Sequence, residues 1–207
     1  MDYESGTVIF QKEADAPLEP ASMAKLMTLA VVFNEIRAGR LTLDDEFFVS
    51  EHAWRTGGAA SGGSTMFAEL NSQIRVEDLV RSVIIQSGND AAIVLAEGIA
   101  GSEASFAAMM NELARQIGLT ESHFTNPTGL PDPDMYSTAR DLAELGRYLI
   151  REFPEYYHYF SEPDMEWNNI RQPNRNSLIE VGIGVDGLKT GHTEAAGYGS
   201  VISTSQG

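Results

Sequence analysis

Pro20-Ala21-Ser22-Met23-Ala24-Lys25-Leu26-Met27-Thr28-Leu29-Ala30-Val31-Val32-Phe33-Asn34-Glu35-Ile36-Arg37-Ala38-Gly39 is the segment on which the fold turns. The spacing predicts a helix over Ser22 to Ala38, entered after Pro17 and Pro20 and stopped by Gly39. Met23, Ala24, Leu26, Met27, Leu29, Ala30, Val31, Val32, Phe33 and Ile36 cover nearly its whole circumference. That is the pattern of a helix buried on most sides, so other elements must pack all around it.

Working outward, helical periodicity is expected at Val76 to Gln86, Ala91 to Ile99, Glu103 to Ile117 and Ala139 to Arg151, a helical block at about residues 66–150. Its separators are Ser87-Gly88-Asn89-Asp90, Gly101-Ser102 and a Pro/Gly-rich loop at 126–134. The small-residue stretch 56–65 either connects elements or flexes over a site, and the aromatic segment Phe153 to Trp167 is read as core or wall. Strands are expected at Val8-Ile9-Phe10, after the turn Glu4-Ser5-Gly6-Thr7, and at Ile179 to Val185, Gly187 to Thr190 and Gly197 to Thr204. Ser205-Gln206-Gly207 is a further turn signal. Strands at both ends with helices between them predict one α+β domain over 1–207, its sheet joining distant parts of the chain. The half-hairpins at the termini suggest a chain truncated at both ends.

Composition removes several classes of function. With 14 Lys+Arg against 30 Asp+Glu the net charge is −16, which repels a phosphate backbone, so nucleic acid is not an expected partner. No apolar run approaches the roughly 20 residues of a membrane span, and Met1 is followed by Asp2 and Glu4 rather than by a secretory signal. Zero cysteines exclude disulfides and thiol catalysis, and His52, His123, His158 and His192 are scattered without metal-ligand spacing. No metal or organic cofactor is implied. Only Lys12, Lys25 and Lys189 are lysines, and two of these three fall in the motifs that follow.

Ser22 and Lys25 stand at i, i+3 on the buried helix, which sets a hydroxyl and an amine one turn apart on one face. A helix start also offers backbone N–H groups to an oxyanion. Alone, the motif is weak, and Ser22 reads as an N-cap. Ser87-Gly88-Asn89 alone is a helix cap and turn, and Lys189-Thr190-Gly191 the end of a surface strand. The last is no phosphate-binding loop, since Leu188 precedes the lysine.

In this order the three pieces resemble the Ser-x-x-Lys, Ser-x-Asn and Lys-Thr-Gly set of the penicillin-binding proteins and serine β-lactamases. The surrounding text is similar to the low-molecular-mass D-alanyl-D-alanine carboxypeptidases: Pro20 to Thr28, Ser87 to Ala91, Asn126-Pro127-Thr128-Gly129-Leu130-Pro131, Tyr136 to Leu142 and Asp186 to Thr193. The resemblance implies a β-lactamase/transpeptidase-like fold, a sheet flanked by helices with an adjoining all-helical block. It implies a periplasmic or extracytoplasmic enzyme on peptidoglycan stem peptides, inhibited by β-lactams, with any membrane association left to segments outside this chain. It assigns Ser22 as nucleophile and Lys25 as general base, with Ser87 and Asn89 for proton relay and peptide positioning. Lys189 and Thr190, followed by Gly191, would bind the substrate carboxylate, and the backbone of Ser22 and His192 would form the oxyanion hole. Two alternatives share the motifs: a β-lactamase, for which no Glu-x-x-Leu-Asn pattern is found, and a penicillin-recognising sensor without turnover. Gly88 departs from the Asp at the centre of the β-lactamase motif.

Overall fold

The structure is a computed structural model and describes residues 1–205. Its centre is α1, Lys25–Arg37, entered through a 3-10 turn at Ala21–Ala24 rather than as one helix from Ser22. Ser22 is therefore no N-cap: Pro20 holds that position, and no side chain caps the turn. Lys25 to Phe33 are all buried, because α1 is packed by α3 (Val76–Ile85), α4 (Asn89–Ala100), α5 (Glu103–Gln116) and α6 (Ala139–Glu152). Burial of each Leu, Val, Met or Phe in this helix contributes about 1.5–3 kcal/mol.

Polar residues set the helix starts. Ser102 Oγ accepts from Ser105 N at 3.1 Å for α5, and Thr138 Oγ1 from Asp141 N at 3.1 Å for α6. Ser50 does the same for a helix not expected from periodicity, α2 (Glu51–Thr56).

The layout is α+β, with three two-stranded antiparallel sheets among the described residues. β1 (Glu46–Phe48) pairs β2 (Gln73–Arg75), with Phe47 opposite Ile74. β3 (Asp164–Trp167) pairs β4 (Ile170–Pro173) through Asn168-Asn169, both at positive φ, as a tight hairpin turn requires. β5 (Val185–Thr193) pairs β6 (Gly197–Thr204), with Lys189 opposite Val201 and a register shift at Val185/Gly187. The aromatic segment before β3 is core, as read: Phe153, Tyr159 and Phe160 are buried, and Phe33 stacks on Tyr156 at 4.7 Å.

Two strand expectations are corrected. Val8-Ile9-Phe10 forms no strand, because no strand among the described residues lies beside it, and Ile9 and Phe10 are exposed. Consequently no sheet joins the two ends of the chain among the described residues. Ile179 to Val185 is not a strand either: Asn176 caps a 3-10 turn at Ser177–Val181, and Gly182 and Gly184, at positive φ, turn the chain into β5. Of the turn expected at Ser205-Gln206-Gly207, the last two residues lie outside the described residues.

Candidate active site

Lys25 is fully buried, yet its Nζ has three oxygen neighbours: Ser22 Oγ at 3.1 Å, Asn89 Oδ1 at 2.7 Å and Thr128 O at 2.5 Å. Each comes from a different element. The 3-10 turn presents Ser22, which is half-buried, and the first residue of α4 supplies Asn89. The loop 126–130 supplies the Thr128 carbonyl, held by the Asn126 side chain: Oδ1 accepts from Thr128 N and Gly129 N at 3.1 and 2.9 Å, and Nδ2 donates to Leu130 O at 3.1 Å. Thr28, one turn along α1, donates to Pro127 O at 2.7 Å and ties the loop to the helix. Gly129 is required there, since at φ +75° a Cβ would lie 1.8 Å from Ala21 O.

Ser87 sits between α3 and α4 at φ +65°, a left-handed conformation uncommon for a serine. Its Oγ is buried without a partner among the described residues. Gly88 is explained by contact: a Cβ would meet Ser82 Oγ at 2.3 Å, so the Asp of the β-lactamase motif does not fit here. Asp90, also buried, accepts from Thr65 Oγ1 (2.6 Å), Met66 N (2.9 Å) and Ala68 N (3.0 Å). With Asn89 N donating to Ser64 O at 2.8 Å, these bonds dock the small-residue loop against the start of α4.

Lys189, Thr190, Gly191 and His192 lie on β5, which crosses directly over the 3-10 turn. An ideal Cβ on Gly191 would stand 3.1 Å from both Ser22 N and Met23 N, so glycine permits the close approach. Lys189 is 1% exposed and its Nζ donates to Thr190 O at 2.9 Å. The His192 ring stacks on Tyr198 of β6 at 4.1 Å.

A cleft of about 570 Å³ opens over these residues, walled by Ser22, Ser87, Thr190, Gly191 and His192, with Lys25, Asn89 and Lys189 buried beside it. Every residue singled out from the sequence is thus brought to one place. The cleft has five further lining residues, Ser64, Arg175, Tyr198, Gly199 and Ser200, that no motif marked.

The electrostatics are those of two amines forced out of water. Burial, with Lys189 nearby, holds Lys25 well below the usual lysine range, against a smaller opposing pull from Asp90. Burial, then the Arg175 charge, brings Lys189 down to about 7.

A hydroxyl touching a buried lysine whose pKa is held low is the arrangement expected of a serine acyl-transfer site. The family description Peptidase S11, D-alanyl-D-alanine carboxypeptidase, matches residues 1–207. The chain belongs to this family. The D-alanyl-D-alanine carboxypeptidase DacC of Escherichia coli (strain K12) is 47% identical over 209 residues, covering 100% of this chain and 52% of that protein. Among solved structures, penicillin binding protein 5 from Haemophilus influenzae is 44% identical with a TM-score of 0.95, over 100% of this chain and 60% of that one. Penicillin-Binding Protein D2 from Listeria monocytogenes, solved in the ampicillin-bound form, is 27% identical with a TM-score of 0.82, over 99% and 82%. The S11 chain described here spans about half the length of the curated relatives it matches, 52% and 51% of the first two. The family's α+β transpeptidase-like fold is the one expected from the three motifs.

Proposed function

We propose that this chain carries the catalytic site of a serine-type D-Ala-D-Ala carboxypeptidase. It would remove the terminal D-alanine from peptidoglycan stem peptides on the outer side of the cytoplasmic membrane and be acylated by β-lactams. The observation that carries the reading is the set of contacts at Lys25. Asn89 Oδ1 and the Thr128 carbonyl can only accept, so they take the two N–H bonds of a neutral amine. The lone pair of such a neutral amine would face Ser22 Oγ, 3.1 Å away, within reach of the hydroxyl proton. An ammonium would instead spend its third proton on Ser22 and leave no base.

The reaction follows from that geometry. Ser22 Oγ attacks the carbonyl of the penultimate D-alanine while its proton passes to Lys25 Nζ. The developing oxyanion lies between the backbone N–H groups of Ser22 and His192. The C–N bond breaks, D-alanine leaves with a proton relayed through Ser87, and an acyl-serine remains. Asn89 holds the peptide, and Lys189 and Thr190 face the terminal carboxylate. Water, activated by the same base, then releases the shortened peptide and restores Ser22. Relatives named as D-alanyl-D-alanine carboxypeptidases and penicillin-binding proteins support both the substrate class and the inhibitor class.

The test is product analysis with diacetyl-L-lysyl-D-alanyl-D-alanine. Wild-type protein is expected to release D-alanine and to carry one penicillin adduct on a Ser22 peptide by mass spectrometry, and Ser22→Ala to do neither. An adduct retained by Ser22→Ala would end the proposal. Hydrolysis of nitrocefin without D-alanine release would reassign the site to a β-lactamase.

A further inference from the structure

β5 and β6 keep one register from Gly187 opposite Ser203 to Thr193 opposite Gly197, but Val185 stands opposite Thr204, one residue out of that register. Asp186 is therefore an extra residue in β5, a β-bulge just before the segment that carries Lys189. The bulge decides which way that segment faces. Beyond it Lys189 pairs with Val201 and Gly191 with Gly199. These positions look toward the helices: Val201 Cγ1 would stand 3.2 Å from a Cβ on Gly146 of α6, a Cβ on Gly199 would meet Met23 Cε at 2.6 Å, and Gly191 lies over Ser22 N and Met23 N. Were the register of Val185 continued without the extra residue, Lys189 would stand opposite Ser200, and Thr190 would take the inward place opposite Gly199. A slip of one residue turns every side chain of a strand to the other face.

One phenol pins the extra residue. Tyr157, first in the 3-10 turn Tyr157–Ser161, donates its hydroxyl proton to Asp186 Oδ1 at 2.9 Å. With that proton used, the same oxygen accepts from Ser203 Oγ, on the first β6 residue paired beyond the bulge. Gly187 leaves the room: a Cβ there would lie 2.9 Å from Ser203 Oγ and 3.0 Å from the Tyr157 hydroxyl. Asn176 Nδ2 holds Gly187 O at 3.0 Å, and the Tyr157 ring packs on buried Phe160 at 5.6 Å. Burial, against an opposing pull from Ser203, keeps the Tyr157 hydroxyl above the usual phenol range, so it stays a donor. Neither Tyr157 nor Asp186 lines the catalytic cleft.

We propose that Tyr157 and Asp186 are positioning residues for the catalytic cleft: their hydrogen bond locks the bulge, and the bulge turns Lys189 and Gly191 inward, toward the helix that carries Ser22. The inference rests on the carboxypeptidase reading for the roles of Lys189 and of the His192 N–H, and it adds what sets them in phase. It also gives Asp186, a motif residue that no catalytic step uses, a reason to precede Gly187. Loosening the bulge would admit water to Lys189, whose amine burial and then Arg175 bring down to about 7. The cations near that amine, Arg175 and Lys25, are on other elements and stay in place.

The experiment uses Tyr157→Phe, which keeps the ring and changes no charge. With three lysines in the chain, protein labelled with carbon-13 at lysine Cε gives three signals to titrate by NMR, and Lys189→Met assigns one of them. Tyr157→Phe is expected to slow acylation of Ser22 by benzylpenicillin about tenfold, less than the roughly hundredfold of a full 1 Å displacement. It is also expected to raise the Lys189 midpoint by about one pH unit or more while Lys12 stays where it is. Asp186→Ala should match it, and the double variant should be no slower than either single one. Asp186→Asn, which retains an acceptor for the phenol, should restore both readouts. A Tyr157→Phe protein that melts lower yet keeps the wild-type rate and Lys189 midpoint would show a merely structural bond. Asp186→Asn as slow as Asp186→Ala would show that charge, not the bond, matters; either result overturns the proposal. A wild-type protein that neither acylates nor releases D-alanine would sink the proposed function, and the Lys189 midpoint would still decide the role of Tyr157.

Discussion

At Lys189 the cost of the site to the fold can be read from one side chain. The unfolded chain holds this proton up to the ordinary lysine value of 10.5, whereas the folded chain releases it at about 7. Between those values the unfolded state binds more protons, so stability rises with pH across the window and is lowest at and below its acid end. Lys189→Met, which removes the amine and leaves its one acceptor, Thr190 O, is expected to melt higher than wild type at pH 7. That advantage should shrink toward zero as pH approaches 10.5, and calorimetric melts at four or five pH values would measure it. A pH-independent difference would mean that packing, not protonation, separates the two proteins. The neighbouring prediction concerns chemistry alone: Lys25→Arg keeps a cation but cannot act as a base near neutrality, so the penicillin adduct on Ser22 should disappear. At this scale the sequence was informative, because lysine is scarce and the two that fall in motifs are the two buried ones, while Lys12 is exposed. Arg175 was illegible for the opposite reason. It is one of eleven arginines, and its place in the cleft wall arises only on folding.

Two loops hold the catalytic pair together, and each depends on a glycine for which the contacts leave no alternative. Gly129 packs on Ala21 so closely that Gly129→Ala must displace either the Thr128 carbonyl from Lys25 or the 3-10 turn that carries Ser22. Because misplacing a catalytic group by about 1 Å can cost on the order of a hundredfold, acylation is expected to fall by that order. The variant should also melt lower, since α1 loses its bond from Thr28 to the loop. Gly88→Asp is expected to fail differently, by pushing Ser87 and Asn89 away from the cleft. Stopped-flow acylation beside circular dichroism melts would separate these effects; wild-type rates in Gly129→Ala would show that the loop does not position Lys25. The long helices were legible from periodicity to within a few residues, as α3, α5 and α6 illustrate. The 3-10 entry to α1 was not, and it is the turn against which Gly129 packs at Ala21, a contact between residues more than a hundred apart. Short elements were missed where their signals were local: Ser50 as a cap for α2, and Asn168-Asn169 as the turn between β3 and β4.

Across the whole molecule, the cleft is a junction between α1 and the helices packed on it, which with the 3-10 turn supply Ser22, Lys25 and Asn89, and the β5–β6 hairpin, which supplies Lys189 to His192. The hairpin is joined to the block by the close approach of Gly191 to Ser22 and by Leu188 and Val201 against Gly146 of α6. Beyond it β6 has no strand partner on its outer edge among the described residues. A larger groove, of about 810 Å³, runs beside that edge, lined by Ile9, Leu142, Ile150 and Ile202 among others, and it contains none of Ser22, Lys25, Ser87, Asn89 and Lys189 to His192. An eight-residue strand with unpaired ladder groups next to apolar surface is a template for pairing with another copy. The net charge of −16 opposes that association over long range, but salt near 0.15 M shortens its reach to about 8 Å. The 207-residue chain is therefore expected to self-associate more as salt rises from 10 to 150 mM, with sedimentation velocity as the measurement. Ile202→Lys, which places a cation beside the edge and away from the cleft, should reduce association while leaving Ser22 acylation by penicillin intact. A chain that stays monomeric at micromolar concentration in both salts would show that the β6 edge is already protected. Loss of acylation in Ile202→Lys would show instead that the outer edge of the hairpin is coupled to the position of Lys189.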